Sequence, residues 1–320
     1  MRIACLQFNP QVGDFQGNVA KANALIHDAE VRRETRNLSW LLLPEMALTG
    51  PENILRCVWE NSRSPEKLPL LHIIPGYNFP GLAAVTPFLE PTASGPSTTW
   101  AREVAIRLQT HVTIGYPEID TATSRRYNST VTLSPTGEVL ANYRKHFLYY
   151  TDETWASEGP ERFFRGNLGD LGQVAMGICM DINPHKFIAP WKAYEFANHC
   201  LKPALAPLIA INMAWLTRFS AEDVAANPKR EDAETLAYWL ERFYPLIEAN
   251  GEPVIVVMAN RCGTEGGVVY AGTSTVMKIE KGSTKIFDIL GQAEERMLVV
   301  DLKEPPKFAV TTGPPPARGT

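Results

Sequence analysis

The chain has 320 residues, 45% of them hydrophobic and 21% charged, a composition that excludes a disordered or fibrous protein. Its 31 positive and 35 negative charges leave a net charge of −4, without the basic excess that a nucleic-acid surface needs. No apolar run nears the roughly 20 residues of a membrane-spanning helix, so neither nucleic acid nor a membrane is expected as a partner.

The N-terminus runs straight into a strand pattern over residues 2–8, with none of the regions of a signal peptide. Apolar residues at helical spacing follow over 18–33, then a short continuous apolar run at 40–43, typical of a strand buried on both faces. Residues 62–97 are rich in Pro and Gly and read as a functional loop. A helix is expected over 98–110, capped by Ser97 or Thr98. Strands follow at 111–116, 127–134 and 138–143, the last two forming a hairpin around Pro135-Thr136-Gly137. Residues 144–167 read as an irregular loop, and 173–178 as a buried strand. The alternation continues with helix 190–200, strand 208–212, helix 231–250 and strand 253–259, then three strand-like runs within 271–301. With no repeat and no internal linker, the expectation is one α/β domain over 1–302 and a proline-rich tail over 303–320 that holds neither helix nor sheet.

Five cysteines, at 5, 57, 179, 200 and 262, include no C-x-x-C pair. They read as reduced thiols of a cytoplasmic enzyme rather than a zinc or disulfide framework. Cys5 and Cys200 read as packed, and Cys57 and Cys262 lie near loops. His146 and His185 read as structural, and the segment Gly263-Thr264-Glu265-Gly266-Gly267 as a turn facing the site, since it lacks the lysine of a phosphate loop.

Three polar residues end or follow apolar strands: Glu45, Lys145 and Cys179. In α/β folds ligands gather at the carboxyl ends of strands, so the three can converge. A cysteine attacks as thiolate and needs a base or a cation nearby. A glutamate in a closed pocket can shuttle the proton. A lysine can stabilise a tetrahedral oxyanion, helped by the backbone N–H of Met180. This is amide or nitrile chemistry, and no metal or cofactor is called for.

Leu42-Leu43-Pro44-Glu45-Met46, Tyr143-Arg144-Lys145-His146 and Gly177-Ile178-Cys179-Met180-Asp181 resemble the three signature blocks of the nitrilase, or carbon–nitrogen hydrolase, superfamily. The separations of 100 and 34 residues between Glu45, Lys145 and Cys179 fit its triad. The resemblance runs from about residue 1 to 302. It implies a four-layer α-β-β-α sandwich with Cys179 as nucleophile, Glu45 as general base and acid, and Lys145 as oxyanion stabiliser. It also implies a second acid seven or eight positions after the lysine. Asp152 and Glu153 both qualify, and Glu153 is favoured because the family carries glutamate there.

Residues 147–155 and 179–187 are similar to the fungal-type protein N-terminal amidase branch, which converts N-terminal Asn or Gln to the acid. Such a substrate brings an α-ammonium, which favours an acidic wall; Asp152, Glu153 and Asp181 are the candidates. Asp181 is read more readily as a brace of the nucleophile turn. Trp155, Met213 and Trp215 are either pocket wall for the substrate side chain or ordinary core. The expected partner is a peptide or protein N-terminus bearing Asn or Gln, acted on by a monomer or homodimer. A small-molecule ω-amidase, carbamoylase or nitrilase is the alternative, and a catalytically silent binding protein stands behind both.

Overall fold

The first strand, β1 (Arg2–Gln7), sends its side chains into two different cores. Ile3 and Cys5 enter a cluster shared with Val174, Met176, Ala210, Val257 and Val276. Ala4 and Leu6 turn the other way, onto Phe15, Ala22 and Ile26 of the helix Phe15–Val31. In the computed structural model, residues 1–49, 79–201, 206–249 and 251–310 are described. Cys57, residues 62–78 of the 62–97 segment and the end of the tail lie outside them.

In chain order the first sheet takes β1, β2 (Leu38–Leu42), β3 (Glu90–Pro91), β4 (His111–Asp120), β5 (Arg125–Leu133) and β6 (Val139–Arg144). The second takes β7 (Phe164–Asn167), β8 (Gln173–Ile178), β9 (Leu208–Met213) and β10 (Val254–Asn260). A small hairpin of β11 (Thr264–Glu265) and β12 (Val268–Val269) precedes β13 (Thr275–Glu280) and β14 (Ser283–Ile289) in that second sheet. Then β15 (Arg296–Asp301) returns to the first sheet and β16 (Phe308–Val310) to the second. The spatial orders are β15-β1-β2-β4-β5-β6, with β3 beside β4, and β16-β14-β13-β10-β9-β8-β7. β1, β2 and β4 run parallel, as do β8, β9 and β10. Antiparallel strands flank both parallel cores.

Period-2 alternation explains the layering. On β2, Trp40 and Leu42 face the second sheet while Leu41 faces the helices. On β9, Leu208 and Ala210 face inward, and Ile209, Ile211 and Met213 face the outer helices that carry Phe196, Trp239 and Leu240. Two sheets back to back, each covered by helices, make the expected α-β-β-α sandwich. Polar cross-links tie the sheets together near one end. Asn212 donates to the Leu43 carbonyl at 2.5 Å and accepts from the Thr130 hydroxyl at 3.2 Å.

Several boundaries depart from expectation for identifiable reasons. The 98–110 helix is Pro96–Leu108, and its first turn is capped from outside: the Ser97 N–H and hydroxyl donate to Glu90 at 2.9 and 2.6 Å. The 231–250 helix splits into Ala233–Arg242 and Tyr244–Glu248; Pro245, which has no N–H and collides with the preceding turn, sits at the break. The 190–200 helix is reduced to Glu195–Leu201, because Tyr194 before it is left-handed with φ 45°. The 144–167 loop contains β7, paired with β8. The tail also needs correction. Residues 308–310 pair with β14, so the second sheet extends past residue 302.

Candidate active site

Glu45 lies just past β2, in a turn where Met46 is left-handed with φ 52°. The turn lies against β4 at Gly115, where a Cβ would stand 2.8 Å from the Met46 nitrogen and 2.9 Å from the Glu45 Cα. Only glycine allows that approach. From the other sheet, the Met213 carbonyl accepts the Glu45 N–H at 3.2 Å. Lys145 follows β6, and its N–H donates to the Asn128 carbonyl at 2.8 Å. Cys179 follows β8 in a tight turn, Cys179–Ile182, with φ 40°. A non-glycine residue rarely adopts this conformation; here it lifts the thiol out of the strand line.

The three side chains meet in a closed setting. Lys145 and Glu45 are fully buried and Asp152 is 1% exposed. Lys145 Nζ donates to Glu45 Oε1 and to Asp152 Oδ2, both at 2.7 Å. Asn128 Nδ2 bridges the same two carboxylates, at 2.6 Å to Glu45 and 3.3 Å to Asp152. Glu45 Oε2 and Asn128 Oδ1 are buried with no hydrogen-bond partner among the described residues. Buried oxygens are normally paired, so these two mark where reacting groups fit.

Electrostatics assign the resting protonation. Burial pushes the Cys179 thiol well above the ordinary cysteine range and Glu45 adds to it; Lys145 and the Ala214 backbone N–H pull it back only in part. These effects favour the neutral form of the Cys179 thiol. Burial pulls the Lys145 ammonium down, but Asp152 and Glu45 outweigh it and hold the group above its usual value. Burial raises Asp152, against the pull of Lys145.

The choice between the two candidate acids falls on Asp152. Glu153 is exposed and pairs only loosely with Lys186, at 3.7 Å, so the preference for Glu153 is corrected. The short helical turn Asp152–Thr154 points one carboxylate in and the next out. Asp181 is fully buried and accepts four bonds: from Ile178 N and Tyr143 OH at 2.7 Å, Phe147 N at 2.8 Å and His146 N at 3.2 Å. Burial lifts its pKa to about 6 despite those donors. It braces the turn at Cys179 through these contacts.

A cavity of about 670 Å³ opens beside Cys179. Met180 and Trp215 line it together with Tyr149, Asn183, Phe187 and Tyr238. Trp155 and Met213 do not. Trp155 packs with Met46, Phe79 and Val85, and Met213 belongs to the core beneath the outer helices. The acidic wall is also not where it was expected. Asp232, Glu234 and Glu241 line the cavity, with Arg218 among them. Asp232 is 1% exposed and accepts from the Thr217 and Thr235 hydroxyls at 2.6 and 2.8 Å.

Other expectations resolve simply. His146 stacks on Phe147 and meets Phe163 edge-on, and His185 lies tilted against Phe147 while bonding Glu158 at 2.8 Å. The 263–267 turn is the β11–β12 hairpin, whose Val268 packs with Leu216 of the cavity wall. Cys5, Cys200 and Cys262 are buried free thiols. Among the described residues, no group of three or more His, Cys, Asp or Glu is placed to hold a metal ion. No helix among them is long and apolar enough to cross a membrane.

Comparison with known proteins agrees with this geometry. The carbon–nitrogen hydrolase family model matches residues 2–189. A protein N-terminal amidase of Schizosaccharomyces pombe is 32% identical over 318 residues, covering 95% of this chain and 100% of that protein. A protein N-terminal amidase of Saccharomyces cerevisiae is 28% identical, over 70% of this chain and 46% of that longer protein. Crystal structures of N-terminal amidase with Asn-Glu-Ala and Gln-Val peptides share the fold. Each has a TM-score of 0.76 and 21% identity, covering 93% of this chain and 96% of theirs. With its blocks at the ends of β2, β6 and β8 and its sandwich of two covered sheets, the chain belongs to the carbon–nitrogen hydrolase family.

Proposed function

We propose that this protein is a thiol amidohydrolase that converts N-terminal Asn or Gln of peptides and proteins to Asp or Glu, releasing ammonia. The observation that carries the reading is the buried Glu45–Lys145–Asp152 cluster beside Cys179 at the head of an acid-walled cavity. The similarity to protein N-terminal amidase over 95% of the chain supports the substrate.

The chemistry follows from the resting state. Glu45 takes the Cys179 proton as sulfur adds to the carboxamide carbon. The C=O electrons move onto oxygen, where Lys145 and the Met180 N–H stabilise the charge. The C–N bond breaks as Glu45 returns the proton to the departing ammonia, leaving a thioester on Cys179. Glu45 then removes a proton from water, which adds to the thioester, and the acid leaves as the thiol re-forms. Asp152 and Asn128 hold the ammonium and Glu45 in register throughout. A buried substrate ammonium without a partner costs several kcal/mol, and the carboxylates of Asp232, Glu234 and Glu241 meet that need. On this reading the enzyme works in the cytoplasm, and its acidic products feed the N-degron pathway.

The test is ammonia release from a peptide panel. Asn- and Gln-initiated peptides are turned over, whereas N-acetylated peptides and internal asparagines are not, because they lack the ammonium that the cavity carboxylates attract. Equal rates on acetyl-Asn and free Asn peptides refute the reading and favour a small-amide substrate.

A further inference from the structure

The acyl-enzyme of an N-terminal glutamine carries its own competing nucleophile. Once the side-chain carbonyl is joined to Cys179, the free α-amine of the same residue can close a five-membered ring on the thioester carbon. Water has to win that competition if the product is to be glutamate. The amine has the advantage of connection: well-oriented intramolecular attack reaches effective molarities of about 10⁵–10⁸ M, far above the concentration of water. An asparagine thioester faces no such competition, since its amine closes only a strained four-membered ring.

The cavity holds the groups that can restrain the amine. Cys179 shares its wall with Asp232, Glu234 and Glu241, set against the single guanidinium of Arg218. Asp232 is the buried and fixed member. Its Oδ1 accepts from the Thr235 N–H at 2.9 Å, and its Oδ2 from the Thr217 and Thr235 hydroxyls at 2.6 and 2.8 Å. Its own N–H donates to the Thr273 hydroxyl at 2.9 Å. These bonds orient the carboxylate and cap the helix Ala233–Arg242. Capping alone does not call for an acid, because asparagine or serine caps as well. Glu234 and Glu241 are exposed, and Glu241 is engaged by the Trp191 indole N–H at 2.7 Å. Burial drives an amine towards its neutral form, whereas an adjacent carboxylate holds it as the ammonium. An ammonium has no lone pair with which to attack.

We propose that this carboxylate wall, led by Asp232, decides the fate of the glutaminyl thioester: it keeps the α-amine protonated until water attacks, and without it the enzyme cyclises the residue and releases a pyroglutamyl peptide. The inference rests on the peptide N-terminal amidase reading. In the cyclising step the amine nitrogen bonds to the thioester carbon and the C–S bond breaks. The proton lost by nitrogen passes through Glu45 to the departing sulfur, which re-forms the thiol. No water is consumed, and ammonia has already left during acylation, so both routes release the same ammonia.

The test resolves the products of Gln-Gly-Ala-Ala by mass spectrometry, the glutamyl and pyroglutamyl peptides differing by one water. Cys179→Ala sets the background of spontaneous cyclisation. Above that background the wild type yields the glutamyl peptide. In Asp232→Asn, which keeps the helix cap, the pyroglutamyl fraction rises about tenfold or more, the least by which a neighbouring opposite charge shifts protonation. Glu234→Gln, at an exposed position, raises it to a lesser degree and serves if Asp232→Asn does not fold. Asn-Gly-Ala-Ala yields the acid throughout. Both products arise from one thioester, so general damage to the fold slows them alike and leaves their ratio fixed. A ratio unchanged in the folded variants overturns the proposal, as does a wild type that makes as much pyroglutamyl as glutamyl peptide. A product of ammonia loss without hydrolysis from the Asn peptide indicates attack by the following peptide nitrogen and also overturns it. Turnover of the Asn peptide alone overturns it while leaving the amidase reading intact. If neither peptide releases ammonia, the amidase reading itself fails, and this inference with it.

Discussion

A Cβ at Gly115 would stand 2.9 Å from the Cα of Glu45, so Glu45 sits in a space that only the absence of a side chain on β4 leaves open. The atoms it would meet are backbone, which cannot rotate away. Gly115→Ala is therefore expected to displace the Glu45 turn. The cost in stability is about 1–3 kcal/mol, the usual range for overpacking. Activity should fall about 10²-fold, as when a catalytic group is misplaced by about 1 Å. Thermal unfolding and steady-state rates check both; an unchanged kcat would show that the turn adapts freely.

Asp152 and Glu153 are adjacent in sequence and opposite in role. Asp152→Asn removes one of the two carboxylates that neutralise Lys145, and a kcat loss of about 10² or more is expected from the disturbed proton transfer and oxyanion support. Glu153→Gln changes an exposed side chain and should leave stability within about 0.5 kcal/mol and kcat unaltered. Steady-state kinetics of the pair decide it; a large effect at Glu153 and none at Asp152 would reverse the assignment.

Burial and Glu45 raise the pKa of the Cys179 thiol beyond what Lys145 offsets. A raised pKa means that the thiolate fraction is small at neutral pH and grows as pH rises. Alkylation of Cys179 by iodoacetamide should accordingly accelerate steadily from pH 6 to pH 9 without a plateau, and substrate should protect. A rate already flat above about pH 7 would indicate a standing thiolate–ammonium pair.

Much of this site could be read from the chain alone, because Glu45, Lys145 and Cys179 each follow an apolar strand, and such ends gather ligands. The layers were legible too, since residues 40–43 carry the continuous apolar run of a strand buried on both faces. What the chain concealed depends on orientation in irregular backbone. Whether position 152 or 153 faces Lys145 is decided by one step in a short turn, which no periodicity records. Asn128 looks like any polar residue in a strand until β5 sets it between two carboxylates. Gly115 gives no local signal, because the atoms it makes room for are 70 residues away. Asp232 and Glu234 begin a helix whose position over the cavity is set by packing of Trp239 and Leu240, not by any motif.

The most direct test of the account is rapid-quench intact-mass analysis of the enzyme mixed with an Asn-initiated peptide. The predicted result is a transient adduct equal to the peptide less one ammonia, mapped to Cys179, and absent together with all turnover in Cys179→Ala. Turnover at the wild-type rate in Cys179→Ala, or an adduct carried by another residue, would contradict the thioester mechanism and the site built around it.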